Sequence, residues 1–207
     1  MITAGPTWVP IDNVRVISNL ATGATGRLLA EKLLSKGAKV TLLLGPAGTC
    51  CLNKKIRLIP FKFFDELKAK ITRELKAKKY DIFIHAAAVA DYRPQKSYRQ
   101  KIKSHLNRLQ LKLVATPKII DGIKKIDPQI FLVGFKFDPQ AEKKQLIAQA
   151  KTLAKRANLD LVVANSINKG AYQAYILNHK NIYGPLRNKN ALARELIKVV
   201  GKTILNY

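Results

Sequence analysis

The sequence predicts an α/β fold in which a mostly parallel sheet is flanked by helices. Short apolar runs alternate with longer amphipathic ones along the chain, and this alternation is typical of strands joined by crossover helices. The 207 residues, 47% of them hydrophobic, are enough to bury a core. We therefore expect one Rossmann-like domain over residues 1–207.

Five apolar runs predict the strands of the sheet. They are Met1–Ala4, Lys39–Leu44, Asp81–His85, Phe131–Phe135 and Leu159–Ala164. The first run is unusually short, so it either lies at the limit of the sheet or lacks residues upstream. A hairpin is expected within Asn168–Gly184, where Tyr172, Ala174 and Ile176 alternate with other residues.

Five amphipathic segments predict the helices between these strands. They are Thr25–Lys36, Asp65–Lys78, a helix over Ile119, Ile120 and Ile123, Gln140–Ala157 and Lys189–Leu205. The first has leucines at helical spacing and stops at Gly37, which suits a helix C-terminus. Thr116 and Pro117 are expected to begin the third helix, since threonine is a favourable N-cap and proline suits the first helical position.

The charge of the chain is strongly positive and unevenly distributed. Thirty-eight Lys and Arg against 13 Asp and Glu give a net charge of +25, of which residues 1–51 contribute +3 and the rest +22. Such a field attracts polyanions, namely nucleic acids, membrane surfaces or phosphorylated metabolites. No zinc finger and no basic motif interleaved with aromatic residues is present, so a nucleic-acid-binding module is the less favoured interpretation.

The sequence has no pattern for secretion or membrane insertion. No apolar run approaches the ~18 residues of a membrane span, and the N-terminus lacks the basic and apolar regions of a signal peptide. The two cysteines, Cys50 and Cys51, are adjacent, so they suit neither a disulfide scaffold nor a zinc site. We expect unpaired thiols in a reducing cytosol, and hence a cytoplasmic protein.

A basic arm, Ala90–Leu113, is expected to leave the sheet. Tyr92–Ile120 contains eight Lys and Arg and no acidic residue, and the arm ends in an alternating strand pattern at Leu109–Leu113. This strand has no obvious partner nearby in the sequence, and an unpaired strand edge invites pairing with another chain. The pattern therefore predicts a flap that takes part in dimerisation.

The first candidate site is a glycine-rich turn at the start of a helix. Gly5 follows the first strand, and Thr22-Gly23-Ala24-Thr25-Gly26 opens the next helix. Glycines at a helix N-terminus let backbone N–H groups approach a phosphate, which the helix dipole also favours. The segment is neither a Walker A loop nor a complete G-x-G-x-x-G fingerprint, so a simple tight turn is the alternative.

The second candidate site is the small-residue run that leads from the strand ending at His85 to Asp91. Ligands bind at the carboxyl ends of strands in open α/β sheets, and small residues leave room for a flat ring. Asp91 would then offer a carboxylate to an exocyclic amine or a metal, although a solvated aspartate at a turn is the simpler alternative. His85 is expected to be a packed strand histidine and not a base.

Six motifs occur in an order that resembles one enzyme family. They are Asp12-x-Val-Arg15-x-Ile-x-Asn19-x-x-x-Gly23-x-x-Gly26, Ala87-Ala-Val-Ala-Asp91-Tyr-Arg-Pro, Gln-Lys101-Ile, Thr116-Pro-Lys-Ile-Ile120, Val-Gly-Phe135-Lys and Asp160-Leu-Val-Val-Ala-Asn165. Together they resemble phosphopantothenoylcysteine synthetase, the second activity of the bacterial coenzyme A biosynthesis flavoprotein. The decarboxylase half of that flavoprotein has no counterpart in this sequence, so the resemblance implies a stand-alone synthetase.

The resemblance implies a ligase that works in two steps. The carboxylate of 4′-phosphopantothenate attacks the α-phosphate of CTP, giving an acyl-cytidylate and pyrophosphate, and the amine of L-cysteine then displaces CMP to form the amide. It also implies Mg²⁺ on the triphosphate, with ligands that the sequence does not identify. A homodimer whose arms help to build each active site, and a separate decarboxylase in the same pathway, are further implications.

The matched positions imply a role for each site residue. Asn19 would hold the acyl-cytidylate, and Arg15 would face the substrate phosphate or support that loop. Lys101, in the basic arm, would neutralise the phosphates and close over the intermediate. The nucleotide would be held by Gly5, Thr22, Gly23, Gly26, Ala87, Ala88, Asp91, Phe135, Lys151 and Lys155. The two lysines resemble a Lys-x-x-x-Lys pair but stand one residue farther from Asp160 than usual.

Three positions depart from the family pattern near the predicted phosphate site. Pro6 removes one N–H donor, Ala21 replaces a hydroxyl, and Ala24 replaces the Lys or Arg often found after Gly23. These departures leave open a family member that uses ATP in place of CTP, or one that is inactive.

Overall fold

A central sheet of eight strands organises the computed structural model, which describes residues 1–47, 52–168 and 170–204. The strands are β1 (Ile2–Ala4), β2 (Trp8–Pro10), β3 (Val16–Ser18), β4 (Thr41–Leu44), β5 (Arg57–Pro60), β6 (Ile82–His85), β7 (Tyr92–Pro94), β8 (Leu113–Ala115), β9 (Phe131–Phe137), β10 (Leu161–Asn168), β11 (Ala171–Leu177) and β12 (Ile182–Leu186). The helices are α1 (Ala24–Ser35), α2 (Phe64–Ala77), α3 (Ile123–Ile126), α4 (Lys143–Ala157) and α5 (Lys189–Ile204), with a 3₁₀ turn at Ile119–Gly122. Cys50 and Cys51 lie outside the described residues, and so does the expectation about their thiols.

The sheet has the strand order β12-β11-β10-β9-β6-β1-β4-β5. The strands from β10 to β5 in this order run parallel, and β11 and β12 extend the sheet as antiparallel strands. This arrangement confirms the predicted fold class. Because parallel strands end at one edge, the loops that follow β1, β6, β9 and β10 meet there.

The first strand lies in the middle of the sheet and not at its limit. It pairs with β4 on one side and with β6 on the other, and all three of its residues are buried. A short strand suffices at this position because helices cover both of its faces.

Two apolar clusters lie on opposite faces of the sheet. Phe83 and Leu132 pack with residues of α2, α3 and α4 on one face. Their chain neighbours Ile84 and Val133 pack with residues of α1 and α5 on the other. Successive strand residues point to opposite faces, so unbroken apolar strands fill both clusters. Within the described residues, no helix is long and apolar enough to cross a membrane.

The sheet contains strands that the sequence did not predict, and one predicted strand has different bounds. The segment between Gly5 and Asn19 contains the hairpin of β2 and β3, and β5 adds an edge strand, neither of which we predicted. The strand predicted at Leu159–Ala164 instead runs from Leu161 to Asn168. The hairpin predicted after it is formed by β11 and β12. Short or half-exposed strands carry too few apolar residues for the pattern to detect.

The strand predicted at Leu109–Leu113 is wrong, because only Leu113 of that segment is in a strand. That strand, β8, pairs in antiparallel fashion with β7 at the other end of the basic arm. The partner is separated from it by the length of the arm, which is why the sequence did not reveal it. This strand therefore gives no argument for dimerisation.

The third predicted helix begins later and is shorter than Thr116 and Pro117 imply. The chain first makes the 3₁₀ turn and only then enters α3. The Thr116 hydroxyl does not cap a helix but donates to the carbonyl oxygen of Ala90 at 2.5 Å. Thr116 therefore fastens the two ends of the basic arm to each other.

Candidate active site

A cleft of about 970 Å³ opens at the edge where the parallel strands end. Its walls are the loops after β1, β3 and β6, the carboxyl-terminal parts of β9 and β10, and the start of β11. The starts of α1 and α5, the 3₁₀ turn and one face of α4 complete them. The cleft brings together the predicted site residues Gly5, Asn19, Thr22, Gly23, Gly26, Ala87, Ala88, Asp91 and Phe135. A smaller cavity of about 240 Å³ beside α2 and α3 contains none of them.

The glycine turn brings backbone to places where a side chain would not fit. Gly23 adopts the left-handed conformation with a φ of 69°, and a Cβ on Gly26 would lie 2.4 Å from the Cβ of Ala4. The helix α1 can therefore begin directly against the end of β1. The residue before α1, Gly23, offers no side-chain cap, and the Ala24 N–H donates to the Thr22 hydroxyl at 3.4 Å. The N–H groups of Thr25 and Gly26, in the same first turn, are available to an anion.

Asn19 is held over the small-residue loop that follows β6. Its Nδ2 donates to the carbonyl oxygen of Ala88 at 3.0 Å. The Ala88 N–H in turn donates to the carbonyl oxygen of Gly5 at 2.9 Å. These bonds join the loops after β1 and β6 and fix the direction of the Asn19 amide at the cleft.

His85 is buried at the end of β6, as predicted, and burial lowers its pKa to about 4. The Thr3 hydroxyl accepts a bond from the Ala87 N–H at 3.3 Å and lies 2.9 Å from His85 Nδ1. Thr3 and His85 thus share a buried hydrogen bond, and the same hydroxyl holds the backbone of Ala87. The neutral ring, bound to Thr3, anchors the start of the small-residue loop.

Asp91 is bound by a lysine that we did not predict as a site residue. Nζ of Lys118 lies 2.5 Å from Oδ1 of Asp91, and the two side chains are 41% and 68% exposed. Exposed ion pairs contribute little to stability. Either partner can therefore exchange this contact for one with a ligand.

The helix α4 presents a different face to the cleft from the predicted one. The lining face is formed by Gln149, Thr152, Leu153 and Arg156. Lys151 and Lys155 are exposed and do not line the cleft, because at 3.6 residues per turn they lie on the opposite side of the helix. Arg156, one residue beyond Lys155, is the basic side chain that α4 brings to the cleft, and its Nε donates to Asp121 at 3.1 Å.

Among the described residues, the cleft has far more positive than negative charge. Its lining includes one carboxylate, that of Asp91. Four cations line it as well, namely Lys118, Lys136, Arg156 and Lys189. A concave site with this charge favours a polyanionic ligand.

Three buried polar atoms in the cleft wall have no hydrogen-bond partner in the described part of the chain. They are Oε1 of Gln149, Oδ1 of Asn165 and the hydroxyl oxygen of Tyr172. Buried polar atoms are nearly always hydrogen-bonded, so these atoms indicate a place for ligand or water. Burial raises the pKa of Tyr172 to about 12, so its hydroxyl stays protonated and can donate.

Arg15 and Lys101 do not line the cleft of their own chain. The Asp12 carboxylate accepts bonds from the N–H groups of Ile102, Val14 and Arg15 at 3.0, 2.8 and 2.7 Å. Nη1 of Arg15 donates to it at 2.7 Å. The Ile102 bond is the main cause that lowers the pKa of Asp12 to about 2. Arg15 thus supports its loop, and the basic arm is anchored beside Lys101.

Comparison with known proteins assigns the family. Residues 1–204 match the family described as DNA/pantothenate metabolism flavoprotein C-terminal domain. The chain belongs to this family. The "Coenzyme A biosynthesis bifunctional protein CoaBC" of Thermococcus kodakarensis is 40% identical over 167 residues, which are 81% of this chain and 41% of that protein. The chain spans about half the length of the curated relatives that it matches.

Solved structures of the DNA/pantothenate metabolism flavoprotein family share the fold. The protein of that name from Streptococcus pneumoniae superposes with a TM-score of 0.87 and 25% identity, covering 98% of this chain and 97% of that one. A Cab2 variant in complex with phosphopantothenate-cysteine superposes with a TM-score of 0.81 and covers 99% of this chain and 87% of that one. At 19% identity, the second likeness shows the fold alone.

In this member of the DNA/pantothenate metabolism flavoprotein family, sequence reasoning missed several cleft residues. Lys118 and Lys136 stand inside two of the six motifs, so their place after a strand or turn was a usable signal. Arg156 is adjacent to a predicted lysine and differs only in helix face. Tyr172 and Lys189 had no signal in the sequence, because the antiparallel end of the sheet brings them to the cleft.

Proposed function

We propose that the chain is a phosphopantothenate–cysteine ligase that activates its acid substrate with CTP. The observation that carries this proposal is the cleft itself, where Asn19 is directed at the loop after β6 beside a glycine turn and four cations. Curated relatives from Thermococcus kodakarensis, Borreliella burgdorferi and Haemophilus influenzae are named for coenzyme A biosynthesis, and the Cab2 complex contains phosphopantothenate-cysteine. Both names support this substrate class.

The first step transfers a nucleotidyl group to the substrate carboxylate. A carboxylate oxygen of 4′-phosphopantothenate attacks the α-phosphorus of CTP, the bond to the bridging oxygen breaks, and pyrophosphate departs with the electron pair. The N–H groups at the start of α1 and the cleft cations are oriented donors and charges for the oxygens that become more negative. Oriented donors of this kind lower the barrier because they need not reorganise during the reaction.

The second step forms the amide. The amine of L-cysteine attacks the acyl carbon of the acyl-cytidylate, CMP departs, and the amine loses a proton. The Asn19 amide donates to a carbonyl oxygen in the free protein, and we propose that it exchanges this bond for one with the intermediate. The product retains the cysteine carboxylate, so a separate decarboxylase is the partner activity expected next in the pathway.

The loop Ala87–Ala88 and Phe135 are proposed to frame a cytosine ring. The two alanines leave backbone groups accessible, and Phe135 lines the same cleft. Asp91 is proposed to read the base or ribose after its bond to Lys118 opens. Asp91 is the one carboxylate in the described lining of the cleft, and a carboxylate suits the exocyclic amine of a pyrimidine.

The residues of the cleft fit a magnesium ion that arrives with the triphosphate. The described residues contain no cluster of three His, Cys, Asp or Glu side chains, and Mg²⁺ seldom needs one when phosphates supply its ligands. The triphosphate would supply its inner ligands, and the unpartnered oxygens of Gln149 and Asn165 would accept from its waters. When bound, the ion neutralises phosphate charge.

We further propose a homodimer in which the basic arm serves the active site of the partner subunit. Lys101 is exposed and does not line the cleft of its own chain, although Ile102 beside it is anchored by Asp12. The arm begins at the cleft with Ala90 and Asp91 but carries Lys101 outside the lining, so Lys101 is suited to reach a neighbouring cleft. Arg15, whose side chain binds the same Asp12 carboxylate, would help to hold the arm in place.

A nucleotide comparison tests the proposed activity. The chain is incubated with phosphopantothenate, cysteine and Mg²⁺, together with CTP, ATP, UTP or GTP in turn, and released pyrophosphate is measured. We expect turnover with CTP well above that with ATP. Equal rates with CTP and ATP would contradict the proposed preference for a pyrimidine nucleotide. The absence of pyrophosphate with every nucleotide would refute the ligase activity.

A further inference from the structure

Lys189 is a cleft residue that stands at the first position of α5. The helix packs against α1 and against β11 and β12, so its start lies at the antiparallel end of the sheet. Asn165 and Tyr172 line the cleft at the same end. Strand β9 lies between β10 and β6, so these two strands are two spacings of about 4.8 Å apart. The loop after β6 carries the Ala88 carbonyl that Asn19 binds. A triphosphate held by an extended lysine can bridge this distance.

The position of Lys189 is unfavourable for the stability of the helix. A positive charge in the first turn is repelled by the helix dipole, and this turn of α5 has no acidic residue to offset it. Asn188 already caps the helix, because its Oδ1 accepts from the Ala191 N–H at 2.8 Å. A lysine here therefore adds nothing that the helix needs.

Lys189 also differs from the other cations of the cleft. Lys118 and Arg156 are bound to Asp91 and Asp121, and Lys136 interacts electrostatically with Asp138. Within the described residues, Lys189 has neither an ion pair nor a hydrogen bond. Its charge is thus available to a ligand without the loss of an existing contact.

Two further residues of the cleft have polar atoms without partners. The Tyr172 hydroxyl and Oδ1 of Asn165 are buried without a hydrogen bond in the described part of the chain. Leaving such atoms unsatisfied costs free energy, and a bound polar group recovers it. A protonated phenol and an unpaired ammonium in one cleft suit phosphate oxygens.

We propose that Lys189, together with the Tyr172 hydroxyl, binds the β- and γ-phosphates of the nucleotide and carries the charge of the departing pyrophosphate. This inference rests on the proposed ligase function and deepens it. Pro6, Ala21 and Ala24 remove contacts from the glycine-turn side of the cleft, and Lys189 supplies a contact from the α5 side. The lysine stays protonated throughout, while the electron pair of the broken phosphorus–oxygen bond stays on pyrophosphate.

The test compares binding of inorganic pyrophosphate and of CMP by calorimetry, in the absence of phosphopantothenate and cysteine. The variants are Lys189→Ala, Lys189→Arg and, as a matched control, Lys198→Ala, which removes an exposed lysine from the same helix. We expect Lys189→Ala to weaken pyrophosphate binding by about tenfold or more. CMP binding should change by less than about twofold, Lys189→Arg should restore most of the pyrophosphate affinity, and Lys198→Ala should behave as the wild type.

Equal pyrophosphate affinities for Lys189→Ala and Lys198→Ala would overturn the inference, and so would a wild type that binds no pyrophosphate. An equal loss of CMP and pyrophosphate binding would assign Lys189 to folding and overturn it as well. The ligase proposal is judged separately by product formation. A wild type that binds pyrophosphate through Lys189 but makes no amide refutes the ligase proposal alone, whereas turnover with unaltered binding in Lys189→Ala refutes only the role of Lys189.

Discussion

The carboxylate of Asp12 accepts a hydrogen bond of 3.0 Å from the backbone N–H of Ile102, 90 positions along the chain. The same carboxylate holds Arg15, whose Nη1 also donates to the Ile102 carbonyl oxygen at 3.3 Å. One buried acid thus joins the loop before Asn19 to the basic arm. The arm is anchored next to Lys101 and is not a freely swinging segment.

Asp12→Asn should release the arm. The amide keeps one acceptor oxygen but cannot accept from both Val14 and Ile102 as the carboxylate does, so the Ile102 bond should be lost. We expect faster hydrogen exchange over residues 98–104 and earlier tryptic cleavage there, with little change in the sheet. Asp65→Asn, which removes the exposed partner of Arg93 in the same arm, is the control and should leave both rates unaltered. Unchanged exchange in Asp12→Asn would refute the anchor.

Asn19→Asp should abolish most amide formation while the fold persists. A carboxylate beside a phosphodiester is repulsive, and the loss of one oriented donor costs about 10²–10³ in rate. The side chain is exposed, so the melting temperature should change little. Asn13→Asp, at an exposed asparagine of the same loop region, should retain wild-type kinetics. A folded Asn19→Asp enzyme with full turnover would remove Asn19 from the mechanism.

Lys101→Gln should lower turnover by about tenfold or more, with little effect on thermal stability, since exposed charges contribute little to it. Lys96→Gln and Lys112→Gln, in the same arm, should cause smaller losses. Added salt should not restore the Lys101→Gln enzyme, because a contact in a closed site is poorly screened. Equal, mild losses in all three variants would reduce the arm to a diffuse positive field.

Mixing two inactive variants should reveal whether the arm acts across a dimer. A mixture of Lys101→Gln and Asn19→Asp chains forms heterodimers. If each site uses Lys101 of the partner subunit, one of the two sites in a heterodimer combines a native Asn19 with a native Lys101. Random pairing should then restore about a quarter of the wild-type rate. No recovery would place Lys101 in its own site, and a fully active monomer by light scattering would refute the dimer.

His85 should make the protein less stable in mild acid. The unfolded chain binds a proton at this group below its ordinary pKa of 6.5, whereas burial holds the folded pKa at about 4. The contribution of neutral His85 to the free energy of unfolding is therefore fully present above pH 6.5. It falls by about 3 kcal/mol at most as the pH drops toward 4.

Denaturant unfolding between pH 4 and pH 7 measures this dependence. His85→Gln should flatten the curve, while His105→Gln, at an exposed histidine of the basic arm, should leave its slope unchanged. The same slope in His85→Gln and the wild type would show that His85 does not titrate in this window.

The central fold could be predicted because its strands are covered by helices on both faces. The stretches 82–84 and 131–135 are apolar without interruption, as expected for strands that are buried on both faces. The hairpin of β2 and β3 could not be predicted, since its strands have three residues each and are partly exposed. The pairing of β7 with β8 links residues some twenty positions apart without a local turn pattern.

The sequence predicted the parts of the site that are built from backbone groups. It predicted less well the parts that are built from long side chains. Glycines and alanines next to strand ends have a fixed place once the strands are known, and these residues do meet in the cleft. Lys151 and Lys155 show the limit, because a shift of one residue on a helix turns a side chain by 100° and removes it from the site. Arg15 and Lys101 depend on the arm, whose path no sequence pattern determines.

A single-turnover reaction without cysteine tests the proposed acyl-cytidylate mechanism most directly. The chain is mixed with CTP, Mg²⁺ and phosphopantothenate, and the bound small molecules are identified by mass spectrometry. For this mechanism we expect one burst of pyrophosphate and a bound acyl-cytidylate. The acyl-cytidylate should be converted to the amide and CMP when cysteine is added. Release of CDP and phosphate, or no phosphopantothenate-dependent burst while the protein is folded, would contradict it.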